Sequence, residues 1–157
     1  MLIIADSSAL IALATCDGLP ALPGLYENIC VPRAVYNEVV QPEKLQAATL
    51  KAFLSGRVVD ADTAHWVLAA GRLGQGELEA MALYKQLNAD ALLIDDHRAR
   101  VVAEHNQIHC IGSLGVLLVA KQRGVIESIT PYVQKLKLSP IRYGNQPLDE
   151  VLKLAGE

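Results

Sequence analysis

The sequence predicts an α/β domain, a three-layer α/β/α sandwich around a central, mainly parallel sheet. Three observations lead there. Short continuous apolar runs, MLIIAD and DALLIDD among them, alternate with longer stretches of helical periodicity. Over half of the chain is apolar (52%) with one Trp and one Phe, so Leu, Val, Ile and Ala do the packing. The 157 residues suffice for one sizeable core.

Taken in order, MLIIAD is a buried strand, and SSALIALATC a helix capped by Ser7 or Ser8. GLPALPGLYENICVP is turn-rich and ends in a second strand, NICVP. PRAVYNEVV is a helix with Pro32 in its first turn, where the missing N–H costs nothing. Pro42 cannot continue that helix; PEKLQAATLKAFLSG forms the next, stopped by Gly56. RVVDA is a short strand, and TAHWVLAAGRLGQG is part helix, part Gly-rich turn. Then come helix GELEAMALYKQLNA, strand DALLIDD, helix HRARVVAEHNQ and strand IHCIG. SLGVLLVAKQRG is a helix with Ser113 as cap and Gly124 as stop. VIESITPYVQKLKLS is helical, broken or begun near Pro131, and PIRYGNQPLDEVLKLAGE is a hairpin-like stretch plus a short amphipathic helix. No repeat or linker divides the chain. The expectation is a single domain over 1–157, with a core to about residue 125 and a helical extension from about 126.

A net charge of −3 carries no global basic field of the kind that coats duplex nucleic acid. Cys16, Cys30 and Cys110 form no CxxC pair and read as reduced thiols. The N-terminal apolar stretch lacks a basic leader and is interrupted by Asp6, so no signal peptide is expected. No apolar run has the length of a membrane span. The expected compartment is the cytoplasm, with no membrane partner.

Function is written in the acids. Asp6 ends the first strand; Asp95 and Asp96 end a much later one. In a parallel sheet all carboxyl ends lie on one edge, where open α/β sheets bind ligands. Glu38 in VYNEVV, and Glu77 and Glu79 in GQGELEA, are helix-borne acids able to join them. Two residues apart on a helix, Glu77 and Glu79 do not both face one point. Clustered carboxylates repel unless a cation holds them, and oxygen donors without a Cys or His pattern suit Mg²⁺ or Mn²⁺. Such an ion activates water and stabilises charge on a phosphate oxygen.

In this order, MLIIADSSALIAL, VYNEVV, GQGELEAMAL and LLIDDHRAR resemble the PIN domain, over roughly residues 1 to 125. That family is similar to FEN-type nuclease domains and includes the VapC ribonuclease toxins of prokaryotic toxin–antitoxin pairs. The ending IRYGNQPLDEVLKLAGE is similar to those of a prokaryotic subgroup carrying the Gly-Glu-x-Glu-Ala form of the third motif. The resemblance implies a metal-dependent endoribonuclease with Asp6, Glu38, Glu79 (Glu77 the alternative) and Asp96 as its acids. Asp95 is the other member of its pair, a helper or cap, and Ser7 or Ser8 matches a supporting hydroxyl. Ile94 stands where relatives carry Thr, removing a hydroxyl. Also implied are single-stranded RNA as substrate, a small antitoxin as partner, and a homodimer.

Plainer readings stand beside these. Asp6 and one of the Asp95–Asp96 pair are natural helix N-caps, and Glu79 a capping residue folded back on the Gly76 N–H. Arg98, Arg100, Lys121 and Arg123 read as solvated faces, with phosphate contact, at Arg98 and Arg100 above all, as the second reading. His97 adjoins the acids and has the same two readings. Two other functions compete: a non-catalytic RNA- or protein-binding module, and a Mg²⁺-dependent phosphotransfer domain. The latter lacks an Asp-x-Asp after the first strand.

Overall fold

A computed structural model describes residues 1–64 and 72–157. The central part of TAHWVLAAGRLGQG, residues 65–71, lies outside the described residues. Five strands form one all-parallel sheet: β1 (Leu2–Ala5), β2 (Asn28–Pro32), β3 (Val58–Val59), β4 (Ala91–Leu93) and β5 (Cys110–Ile111). Their order is β3-β2-β1-β4-β5. Connections run outward from β1 in one direction and outward from β4 in the other. The switch point therefore falls between β1 and β4, whose registers pair Ile4 with Leu92 and Ala5 with Leu93.

Strand alternation builds the two outer layers. Ile3, Ala5, Ala91 and Leu93 face one side, against α1 (Ser7–Thr15), α7 (Ser113–Gln122), α8 (Thr130–Leu138) and α9 (Asn145–Leu154). Ile4, Leu92 and Ile94 face the other, against α5 (Gln75–Gln86) and α6 (His97–His105). Helices α2 (Leu22–Leu25), α3 (Arg33–Val39) and α4 (Ala47–Leu54) complete the first layer. The expected three-layer sandwich is what forms. Ile3, Ile4, Leu92 and Leu93 are fully buried, each contributing about 1.5–3 kcal/mol. Residues of α8 and α9, Val133, Leu136, Leu148 and Val151, belong to the same core as α1 and α7.

Several local expectations are corrected. Pro32 is the last residue of β2, paired with Val59, and α3 begins at Arg33. Residues 42–46 make two successive turns and leave Leu45 89% exposed, so α4 starts only at Ala47. Gly56 and Gly124, both at positive φ, end α4 and α7 as expected. Asp6, not Ser7 or Ser8, caps α1, and the position before α7 is Gly112 rather than Ser113. Residues 140–144 form no strand, so the hairpin-like stretch is an irregular lead into α9. All three cysteines are free; burial pushes the Cys16 and Cys110 thiols up to about 11, which keeps them protonated near neutrality. Among the described residues no single helix is long and apolar enough to cross a membrane.

Candidate functional site

Asp6, Asp95 and Asp96 lie where topology says a ligand should sit, beyond the carboxyl ends of β1 and β4. Asp6 follows β1, and its N–H donates to the Leu93 carbonyl at 2.8 Å, which locks the two strand ends together. Its carboxylate is 1% exposed. Oδ2 accepts the Ser8 N–H at 3.2 Å and the Ser8 hydroxyl at 2.7 Å. Oδ1 is buried with no donor among the described residues. Leaving a buried polar oxygen unmatched costs about 1–3 kcal/mol, more for a charge, so such an atom calls for a partner, a water or an ion. Burial raises the Asp6 pKa above its ordinary value; the Ser8 hydrogen bonds oppose that, and the nearby Glu77 charge adds to it.

Ser8 is the hub of this edge. Its hydroxyl donates to Asp6 and accepts the N–H groups of Asp95 at 3.0 Å and Asp96 at 3.3 Å. One donor and two acceptor positions are all a hydroxyl has. Ser7, its neighbour, lines the adjoining cleft instead.

The adjacent acids Asp95 and Asp96 have different environments. Asp95 Oδ1 accepts the Ser113 N–H at 2.7 Å, capping α7 from a distance. Its Oδ2 accepts the Ser113 hydroxyl at 2.7 Å and the Tyr143 hydroxyl. Gly112 permits this approach, since a Cβ there would lie 3.1 Å from Asp95 Oδ1. Asp95, assigned by sequence to the possible metal ligands, is thus fully engaged by the fold. Burial, then the Asp95 charge, pushes the Tyr143 phenol far above its ordinary value, so it stays a donor. Asp96 caps α6 through one oxygen, Oδ1 to the Ala99 N–H at 2.9 Å. Its other oxygen has no donor among the described residues.

Two open clefts lie at this edge, one lined by Ser7, the residue after Asp6, and the other by Asp96. The larger, about 490 Å³, is lined by Ser7, Asn37, Glu38, Gln75 and Glu77. The smaller, about 90 Å³, is lined by Arg72, Glu77, Asp96 and Arg98. Glu77 borders both. Glu38, on α3, is half exposed and lies 3.9 Å from Lys44. Gly76 lets α5 begin against it: a Cβ there would stand 3.4 Å from Glu38 Oε2.

Glu77 and Glu79 separate by role. Glu77 Oε2 accepts the Gly74 N–H at 2.7 Å, a reach-back from the third position of α5, and its charge bears on Asp6. Glu79 does not fold back on Gly76. It crosses to α3, where Oε2 accepts the Ala34 N–H at 2.8 Å, on the wall of the larger cleft.

The basic residues divide too. Arg98 lines the smaller cleft beside Asp96, while Arg100 is tied to Glu104 at 3.0 Å and the Cys110 carbonyl at 3.4 Å. Lys121 holds the Ala155 carbonyl and Glu157. His97 is exposed and lines neither cleft. The sequence did not single out Arg72 or Tyr143: Arg72 precedes the GQGELEA motif, and Tyr143 lies in the IRYGNQPLDEVLKLAGE ending, whose likeness pointed to no single residue. Ile94 packs between α5 and α6, fully buried, so at the Thr position this chain has a core residue.

Among the described residues no three His, Cys, Asp or Glu side chains close on one point at metal-ligand spacing. The donor set still fits a hard cation. Mg²⁺ keeps several waters and takes only one or two carboxylates directly. Asp6 Oδ1 and the uncapped oxygen of Asp96 are donors that could serve such an ion; Glu77 shares one cleft with Asp96 and the other with Glu38.

Comparison with curated proteins gives no match. A family model does match: DUF3368, a PIN domain, over residues 2–157. That span takes in the acidic edge together with α8 and α9. PIN domains are generally nucleases. The chain belongs to the PIN-domain family.

Proposed function

We propose that this chain is a divalent-metal-dependent endoribonuclease that hydrolyses RNA phosphodiester bonds. The observation that carries the reading is the buried Oδ1 of Asp6, without a donor among the described residues, with the Glu77 charge bearing on the same carboxyl. Asp6 and Asp96 would hold Mg²⁺ or Mn²⁺, with Glu38 and one of Glu77 or Glu79 completing the ring. When bound, the ion lowers the pKa of water and stabilises charge on a phosphate oxygen.

The chain's own residues supply the rest. Ser8 fixes the Asp6 carboxylate and, through two backbone N–H groups, the turn that carries Asp96. Arg98 and Arg72 stand beside the acids, where a guanidinium offsets the charge of an approaching RNA phosphate. Both clefts are open, which suits a single strand.

Cleavage of single-stranded RNA with Mg²⁺ or Mn²⁺, abolished by EDTA and by Asp6→Asn, is the expected result. Unaltered cleavage by Asp6→Asn sinks the assignment. No divalent-ion binding by calorimetry, together with no cleavage, favours the non-catalytic RNA- or protein-binding module instead. The finer proposal, from the likeness to VapC toxins, is a cytoplasmic, homodimeric toxin restrained by a small antitoxin. It predicts that inducing the wild-type chain arrests growth, and that Asp6→Asn does not.

A further inference from the structure

Tyr143 is far from the acidic motifs in sequence, yet it reaches them in space. It lies in the irregular segment leading into α9, its ring packed against the main core. Its hydroxyl meets two oxygens: Asp95 Oδ2 and, at 2.6 Å, Ser113 Oγ. Ser113 is itself 0% exposed. The three oxygens share two hydroxyl protons in a closed triangle, and Asp95 Oδ1 is held separately by the Ser113 N–H. Asp95 is left no freedom. Its N–H and that of Asp96 converge on the Ser8 hydroxyl, which in turn grips Asp6. The chain of contacts runs from the C-terminal segment, through Asp95 and Ser8, to both acids with an unmatched oxygen.

We propose that Tyr143 is a positioning residue for the acidic site: its hydroxyl fixes Asp95, which with Ser8 fixes the backbone carrying Asp96 opposite Asp6. The proposal rests on the reading of Asp6 and Asp96 as ion-holding acids. It makes the segment before α9 part of the site's machinery, although it contributes no atom to either cleft. Outer partners that orient metal-facing carboxylates typically govern ion affinity by about 10- to 100-fold. A phenol that only filled space would have no such effect.

Tyr143→Phe removes the hydroxyl and keeps the ring. With Mn²⁺ as the probe, calorimetry should show affinity about 10-fold weaker than wild type. With RNA, kcat should fall while KM stays unchanged, since neither cleft is altered. Without any metal, amide exchange at Asp95 and Asp96 should quicken while the melting temperature holds within a few degrees. A double-mutant cycle with Asp95→Asn should be non-additive, because Tyr143 acts through Asp95. If wild type binds Mn²⁺ and Tyr143→Phe matches it in affinity and in exchange at Asp95 and Asp96, the proposal fails and the metal reading stands. Additive effects in the cycle would also overturn it. A wild-type chain that binds no Mn²⁺ overturns the metal reading, and this proposal with it.

Discussion

Asp6 and Asp95 are both carboxylates at the carboxyl ends of neighbouring strands, and both receive a hydroxyl and a backbone N–H. They end up opposite in kind. Asp95 has both oxygens matched, to Ser113 and Tyr143, and works as a structural clamp on α7. Asp6 is more deeply buried, yet one of its oxygens has no donor among the described residues. Burial alone does not separate the two acids; the count of unmatched lone pairs does. A carboxylate whose oxygens are all matched can be replaced only at the cost of the fold. One left with a buried open oxygen carries a standing penalty that a cation would remove.

The sharpest way to break this comparison is to exchange charge for stability at each acid. Asp6→Asn keeps the cap, because Asn serves at an N-cap as well as Asp. If Asp6 holds the ion as proposed, metal-dependent cleavage should fall at least about 100-fold. Its melting temperature should stay level or rise, because the unmatched buried charge disappears. Asp95→Ala should do the reverse where stability is concerned. It strips α7 of its remote cap, leaves the N–H of the buried Ser113 without its acceptor and the Ser113 and Tyr143 hydroxyls with only each other, at a cost of about 2–4 kcal/mol. Chemical denaturation of the two variants side by side reads both outcomes. If Asp6→Asn is the more destabilised, the distinction collapses.

A smaller effect sharpens it through pH. The Asp6 carboxyl is raised in the folded chain, chiefly by desolvation and further by Glu77. Between the ordinary value of 3.8 and that raised value, the folded state binds more proton than the unfolded state. The group's contribution to stability therefore falls as pH rises through that window. In metal-free protein, stability referenced to Asp6→Asn should decline from acid toward neutral pH. Added Mn²⁺ should offset the decline, and a difference flat with pH would contradict the environment assigned to Asp6.

Much of this was legible in the sequence, for physical reasons. Strands buried on both faces must be apolar throughout, so LIIA and ALL stand out, and the residues that end them stand out as acids. The ordered acids carried the PIN likeness, and the family match bears it out. Local pattern failed where tertiary contacts decide. Ser113 looked like a cap because Ser commonly is one, but the cap of α7 is Asp95, which reaches it only once β4 and β5 are paired. Asp95 and Asp96 were hard to tell apart, because what distinguishes them is Tyr143, far away along the chain. Glu77 and Glu79 differ in the same way: the Ala34 N–H that holds Glu79 belongs to another helix.

The smallest effect comes from a residue with no side chain. Gly76 sits in the first turn of α5, where Ala is favoured by up to about 1 kcal/mol on helix propensity alone. A Cβ at this position would meet Val35 Cγ2 at 3.3 Å and Glu38 Oε2 at 3.4 Å. Val35 is fully buried and cannot retreat, whereas Glu38 is half exposed and can. Gly76→Ala should therefore change stability by less than about 1 kcal/mol, because the crowding of the new methyl against Val35 offsets the better helix propensity. The added methyl displaces the Glu38 carboxylate by a few tenths of an ångström. If Glu38 serves the site, Mn²⁺ affinity should fall a few-fold at nearly unchanged stability. If affinity is untouched, Glu38 belongs with Asp95, among the acids that the fold rather than the chemistry requires.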